Sequence, residues 1–332
     1  MHIRPRIAAL LEVLGVYLSG NLVAALLSHI LGLQPVNPLT TLSAEVTDAE
    51  LITATRQLFV LLMLQYAGWF LLIIPINWWH RRQGRAAYGL TKADHSWMAL
   101  LLLGLCTAAL AGWPILSINL VDAIYGLGET VPWRAALFAA SWRRWEFWLF
   151  AAILSWALVP LVEELFFRGY CQRRLAEDWG DGAAIIGTAC LFVFSHSQYM
   201  MLNVYNVGMI ATGLVLGIGF GVVFAWTRSL VPSVVAHAVI NVPMTPLWLG
   251  VLVAALVIGA VVAARRGAAV VSRVFSGASV AGCAALGLLG IGYAIVSRRF
   301  NSFEFVGAAM VVLAVGLEAM DRRRDGTRVV NS

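Results

Sequence analysis

Charge is scarce in this 332-residue chain: 12% of residues are Asp, Glu, Lys or Arg, against 61% apolar. Mean hydropathy is +0.82. A water-soluble exterior needs roughly a quarter of its residues charged, so the scarcity excludes an ordinary soluble domain and makes lipid the solvent for most of the surface. Lysine is nearly missing, with Lys92 alone. The +6 net charge is therefore arginine in short clusters between apolar runs: Arg4 and Arg6, Arg81 to Arg85, Arg173 and Arg174, Arg265 and Arg266, Arg322 to Arg324. Clusters so placed read as topology signals and headgroup contacts, and they exclude a nucleic-acid partner. The four cysteines, Cys106, Cys171, Cys190 and Cys283, form no CxxC pair, so neither a disulfide framework nor a zinc ribbon is expected. No fixed-period repeat, soluble domain or cleavable signal peptide is evident. The first apolar run is too long for a signal and reads as a spanning helix.

What is present is apolar run after apolar run. A spanning helix needs about 20 mainly apolar residues. Candidates centre on 7–31, 57–79, 97–120, 146–167, 183–200, 208–227, 231–245, 247–264, 277–297 and 303–320. The expected fold is an all-α, polytopic membrane bundle of eight to ten helices. It divides into N-terminal spans (1–145), a polar-bearing core (146–245) and further C-terminal spans (246–332). Gln34 to Arg56 is the one long acidic loop, and His80 to Ser96 is basic. With ten spans, most arginine clusters and both termini fall on the cytoplasmic face, with Arg143, Arg144, Arg298 and Arg299 on the other. Trp142, Trp145 and Trp148 suit an interfacial belt or a helix lying along the headgroups.

Three places in the core carry polar groups that lipid would not tolerate. The run AAILSWALVPLVEELFFRGY ends a span with Glu163, Glu164 and Arg168. On a helix Glu164 and Arg168 stand four apart and pair, while Glu163 points about 100° away. One carboxylate is thereby left without its own counter-ion, a condition that suits a general base. The interfacial alternative puts all three residues among headgroups. The next span ends in Phe192-Val193-Phe194-Ser195-His196, whose histidine is by itself more simply a hydrogen-bonding core residue. A third segment sets His237 and Asn241 four apart on one helical face, each needing a partner from another helix.

Glutamate with histidine can activate a water, and a His–Asn pair can donate to a developing oxyanion; together they suit hydrolysis of a peptide bond by direct water attack. Serine chemistry is less favoured. Ser155, Ser195 and Ser197 lie nearby, but there is no GxSxG elbow and no Ser–Lys dyad. HExxH is absent too. A zinc held by Glu163, His196 and His237 stays open beside the expected absence of a cofactor.

The three motifs, in this order and spacing, resemble the CPBP group of intramembrane proteases. These are the type II CAAX prenyl endopeptidases and bacteriocin-processing enzymes, also called the Abi family, whose members carry EExxxR, FxxxH and HxxxN or HxxxB. The resemblance covers 146–245, with Tyr88-Gly89-Leu90 as a weaker family feature. It implies that Glu163 and His196 activate the water and that His237 and Asn241 form the oxyanion site. Glu164 and Arg168 would orient and charge-balance Glu163, with Phe192 packed beside the histidine. It implies glutamate-dependent catalysis, a site opening toward the cytosol, and a peptide or membrane-protein segment as substrate. The Arg-rich, Lys-poor composition points to a bacterial cell membrane, where prenylated CAAX tails are generally lacking. Two other classes fit intramembrane Glu, His and Arg: a proton- or substrate-coupled transporter, and an idle immunity or scaffold protein of the same fold. Neither an inverted repeat nor a pair of broken helices favours the transporter.

Overall fold

The computed structural model describes residues 3–33, 47–79, 88, 96–125, 145–146, 151–199 and 202–241. Secondary structure among them is helical throughout, with no strand, as a chain surrounded by lipid requires if its backbone groups are to be satisfied. Among the described residues three helices are long and apolar enough to cross a bilayer, Arg6–Ile30, Asp48–Trp79 and Val204–Thr227. The chain is a membrane protein. The expected spans at 247–264, 277–297 and 303–320 lie outside the described residues, as do Cys283 and the arginines beyond 241.

Helix α1 (Ile3–Ile30) shows how an all-round apolar helix is used. Ala9, Val13, Val16 and Tyr17 are buried, whereas Leu18, Leu22 and Leu26, spaced by one turn, are exposed toward lipid. Helix α2 (Asp48–Trp79) begins nine residues before the span expected at 57. Its start is a reciprocal cap: the backbone N–H and hydroxyl of Thr47 each donate to Glu50 Oε2 at 2.8 Å, and the Glu50 N–H donates back to Thr47 Oγ1. The acidic residues Asp48 and Glu50 thus belong to a first helical turn, where the helix dipole favours them, rather than to a loop. Helices α1 and α2 cross at Gly20 and Gly68, where a Cβ on either would fall into the other's backbone. Helix α3 (Trp97–Tyr125) follows. Trp78, Trp79 and Trp97, at the end of α2 and the start of α3, are exposed rings at helix ends, the position of an interfacial aromatic belt.

The central helix, 151–179, changes its winding along its length. A π-helical segment Ala151–Leu158 leads into α4 (Val159–Glu164), a second π-helical segment Leu165–Gln172 follows, and α5 (Arg173–Trp179) completes it. Wide turns of this kind re-aim side chains and occur often at functional sites. Helix α6 (Asp181–Phe194) is shorter than the expected span 183–200, because the chain breaks at Ser195 into a 3₁₀ turn, Ser197–Tyr199. Helix α7 (Val204–Thr227) then spans, and α8 (Val231–Asn241) returns. At 1.5 Å per residue α6 reaches only about 21 Å, short of a hydrocarbon core of about 30 Å. His196 follows the end of α6 at once, and Asn241 is the last described residue of α8.

Close packing around α7 rests on glycine. A Cβ on Gly217 would stand 3.0 Å from Ala189 Cβ and 3.1 Å from Ala189 Cα on α6, and one on Gly219 would stand 2.9 Å from Ala111 Cβ on α3. Gly217→Ala is expected to destabilise the chain by roughly 1–3 kcal/mol, because backbone rather than a flexible side-chain tip must yield. Thermal unfolding in detergent measures it, and an unchanged midpoint would contradict the packing.

Aromatic rings join α1 and α2 to the central helix. Trp69 stacks on Phe166 at 4.0 Å and 12°, and Tyr17 lies 6.0 Å from Trp69. At the other end Arg174 donates to Glu12 Oε2 and Asp178 Oδ2, each at 2.7 Å, and is 8% exposed. Its expected role as a headgroup contact is thereby corrected: the guanidinium closes an ion-pair network between α1 and α5. The backbone of Tyr88 rests against the central helix, its carbonyl oxygen 2.7 Å from where a Cβ on Gly169 would be.

Candidate active site

Glu163 and Glu164 leave α4 in different directions and meet different partners. Glu164 is fully buried, and its Oε1 accepts from Arg168 Nη1 at 3.0 Å and faces His237 Nδ1 at 2.9 Å. Arg168, also fully buried, donates from Nη2 to the carbonyl of Gly217 at 3.0 Å. Its cation lies 4.8 Å from the Phe192 ring centre and 5.0 Å from that of Phe220. Desolvating a guanidinium and a carboxylate is costly. Charge-assisted hydrogen bonds and two ring faces offset that cost here. The interfacial alternative for this motif does not survive: the pair sits in the core, not among headgroups. One turn on, Gln172 repeats the gesture, donating to the carbonyl of Gly221 at 2.9 Å.

Glu163 is 8% exposed. Its Oε1 accepts the Tyr66 hydroxyl at 3.0 Å, from α2. Its Oε2 is buried with no hydrogen-bond partner among the described residues. The expected division between the two glutamates holds in this respect: Glu164 has the arginine and Glu163 does not.

His196 lies just past the end of α6, with Nδ1 2.8 Å from the Phe192 carbonyl oxygen. A carbonyl only accepts, so the tautomer assigned here carries its proton on Nδ1, leaving the Nε2 lone pair free to take one. The Ser195 hydroxyl donates to the same carbonyl at 2.7 Å, which occupies it and turns it from a nucleophile's role. Phe192 is 2% exposed and presents its ring edge-on to His196 at 4.8 Å and to His237 at 5.7 Å. It separates the two imidazoles and sits under Arg168 at once.

His237 is 4% exposed, stacked on Phe220 at 5.4 Å. Asn241, one turn later, donates from Nδ2 to the Ser155 carbonyl at 3.0 Å. That carbonyl lacks a π-helical partner for a local reason. In the π-helical segment each carbonyl pairs with the N–H five residues on, and for Ser155 the fifth residue is Pro160, which has none. Asn241 supplies the missing donor, and its second N–H remains. Asn241→Ala is expected to orphan this carbonyl and cost about 1–3 kcal/mol, read as a lowered unfolding midpoint. An unaltered midpoint would mean that the bond contributes nothing.

Four of the seven expected residues, Glu164, Arg168, Phe192 and His237, form one contiguous network, which His196 joins through Phe192. Glu163 and Asn241 touch Tyr66 and Ser155 instead. Among the described residues no three His, Cys, Asp or Glu side chains group as a metal-holding cluster. Three participants have no motif to announce them: Tyr66 and the carbonyls of Gly217 and Ser155. Tyr66 stands three residues before Trp69 on one face of α2, a periodicity that marks a buried face but not its partner.

All seven expected residues fall in one stretch of sequence that has a recognisable relative. Residues 144–243 match the family model of the Rce1-like type II CAAX prenyl endopeptidases. The Rce1-like segment is less than a third of the chain and excludes Tyr66. No curated protein and no solved structure matches the chain. The Rce1-like family is a family of membrane proteases, which places the segment coarsely among peptidases.

Proposed function

We propose that this protein is an intramembrane endopeptidase that hydrolyses a peptide bond near the cytoplasmic face by Glu163- and His196-assisted attack of water. The observation that carries the reading is the pair of unlike carboxylates. Glu164 is neutralised by Arg168 and anchors His237, while Glu163 keeps an oxygen with no hydrogen-bond partner among the described residues.

In this reading water lies between Glu163 Oε2 and His196 Nε2, and one of them takes its proton as the oxygen attacks the substrate carbonyl. The carbonyl becomes a tetrahedral oxyanion, held by the free N–H of Asn241 and by His237 Nε2. With Nδ1 turned toward Glu164, His237 donates from Nε2 only when both nitrogens carry protons. The captured proton passes to the leaving amine, and the C–N bond breaks.

The test uses the full chain in lipid nanodiscs with quenched-fluorescent peptides, one farnesylated at a CAAX tail and one of the same sequence without lipid. Cleavage of either by the wild type, lost in Glu163→Gln, supports the reading; cleavage of the lipidated peptide alone assigns the prenylated class. Cleavage equal in wild type and Glu163→Gln overturns it.

A further inference from the structure

We infer that Tyr66 is a positioning residue for Glu163: its hydroxyl holds Oε1 so that Oε2 is the oxygen presented to the water. The inference rests on the hydrolytic reading above and adds to it a residue from outside the Rce1-like segment, so that α2 completes the site.

The hydroxyl donates to Oε1 at 3.0 Å, and the donor and acceptor residues are 4% and 8% exposed. Water therefore competes little for either end of the bond. A carboxylate with two free oxygens turns about its last torsion, a broad and soft rotation, and offers either oxygen. With Oε1 held and Oε2 buried without a partner among the described residues, one oxygen remains for proton transfer. The phenol itself cannot swing away. Its ring lies 5.6 Å from Trp69, which is stacked on Phe166 three residues after Glu163. Donor and acceptor are thus fixed to one another through the same pair of stacked rings. A carboxylate held within a few tenths of an ångström of its working position loses little of its proton-transfer advantage to misorientation.

The experiment compares wild type, Tyr66→Phe and Glu163→Gln in nanodiscs with the peptides named above. Infrared difference spectra, each variant against Glu163→Gln, isolate the Glu163 carboxylate stretch. In Tyr66→Phe the band is expected to move to that of a carboxylate lacking a hydroxyl donor. In the same variant kcat falls roughly tenfold to a hundredfold, as for one lost hydrogen bond to a charged group, at unchanged KM. An unmoved band overturns the tether, and an unchanged kcat overturns its catalytic use. A raised KM at constant kcat also overturns it, by making Tyr66 a substrate contact. If Tyr66→Phe does not fold, the C–O stretch of isotope-labelled tyrosine in wild type and Glu163→Leu, which has no acceptor, tests the same bond from the donor side: a difference supports it and identity overturns it. The carboxylate band needs no turnover. Retained cleavage by Glu163→Gln therefore sinks the hydrolytic reading, while an unmoved band sinks the tether.

Discussion

Glu163→Gln is expected to lower peptide cleavage by roughly 10²- to 10⁴-fold, the usual share of a positioned general base, while the chain stays folded and inserted. Glutamine matches the shape of glutamate and keeps a carbonyl oxygen to accept the Tyr66 hydroxyl, so the packing around α4 is preserved. What disappears is the basic oxygen. An amide has no useful proton affinity near neutral pH, and its NH₂ would stand where Oε2 now stands. With the shape and the Tyr66 bond both kept, the unfolding midpoint should hold. Initial rates at saturating peptide, with thermal melts of the same samples, separate the two effects. A variant that melts normally and still cleaves at the wild-type rate would remove Glu163 from the chemistry.

The second large effect is structural. Arg168→Met is expected to destabilise the chain by about 3–5 kcal/mol, because it takes the guanidinium from a fully buried carboxylate and leaves Glu164 with His237 as its partner. The carbonyl of Gly217 loses a donor at the same time, and the rings of Phe192 and Phe220 lose the cation between them. Pairing the change with Glu164→Gln removes the buried charge and should return much of the stability. Turnover should not return with it, since His237 then faces a neutral amide in place of a carboxylate. Chemical unfolding in detergent, run on both singles and the double, gives the coupling. Additive losses would show that the pair does not act as a unit.

The parts of this site that were legible from sequence are those whose partners are local. Glu164 and Arg168 stand four apart, and their pairing follows from helix geometry even where the helix widens after Glu164. The need of His237 and Asn241 for partners was equally plain, but not which partners. Glu164 Oε1 and the Ser155 carbonyl are brought to them by tertiary packing. A backbone carbonyl freed by Pro160 leaves only a proline as its trace, and reading it requires knowing that the turn before it is π-helical. The helical, lipid-facing class was visible in composition alone. Boundaries were less so: the Thr47–Glu50 cap starts α2 early, and Ser195 stops α6 before His196. Arg174 misleads because an arginine beside a second one, at the end of a span, looks the same whether it faces headgroups or a buried glutamate.

Arg168 and Gln172 grip carbonyls at Gly217 and Gly221, two rungs one turn apart on α7. A slip between these helices by less than a full pitch, about 5.4 Å, would leave both hooks between rungs, one of them charged. Sliding is thus quantised, and the first permitted step is too large for the glycine contacts with α6 to follow. The height of Glu163 and Glu164 along α7 is accordingly a constant of the molecule, and in the hydrolytic reading proposed above a polypeptide reaching them would be measured against a fixed ruler.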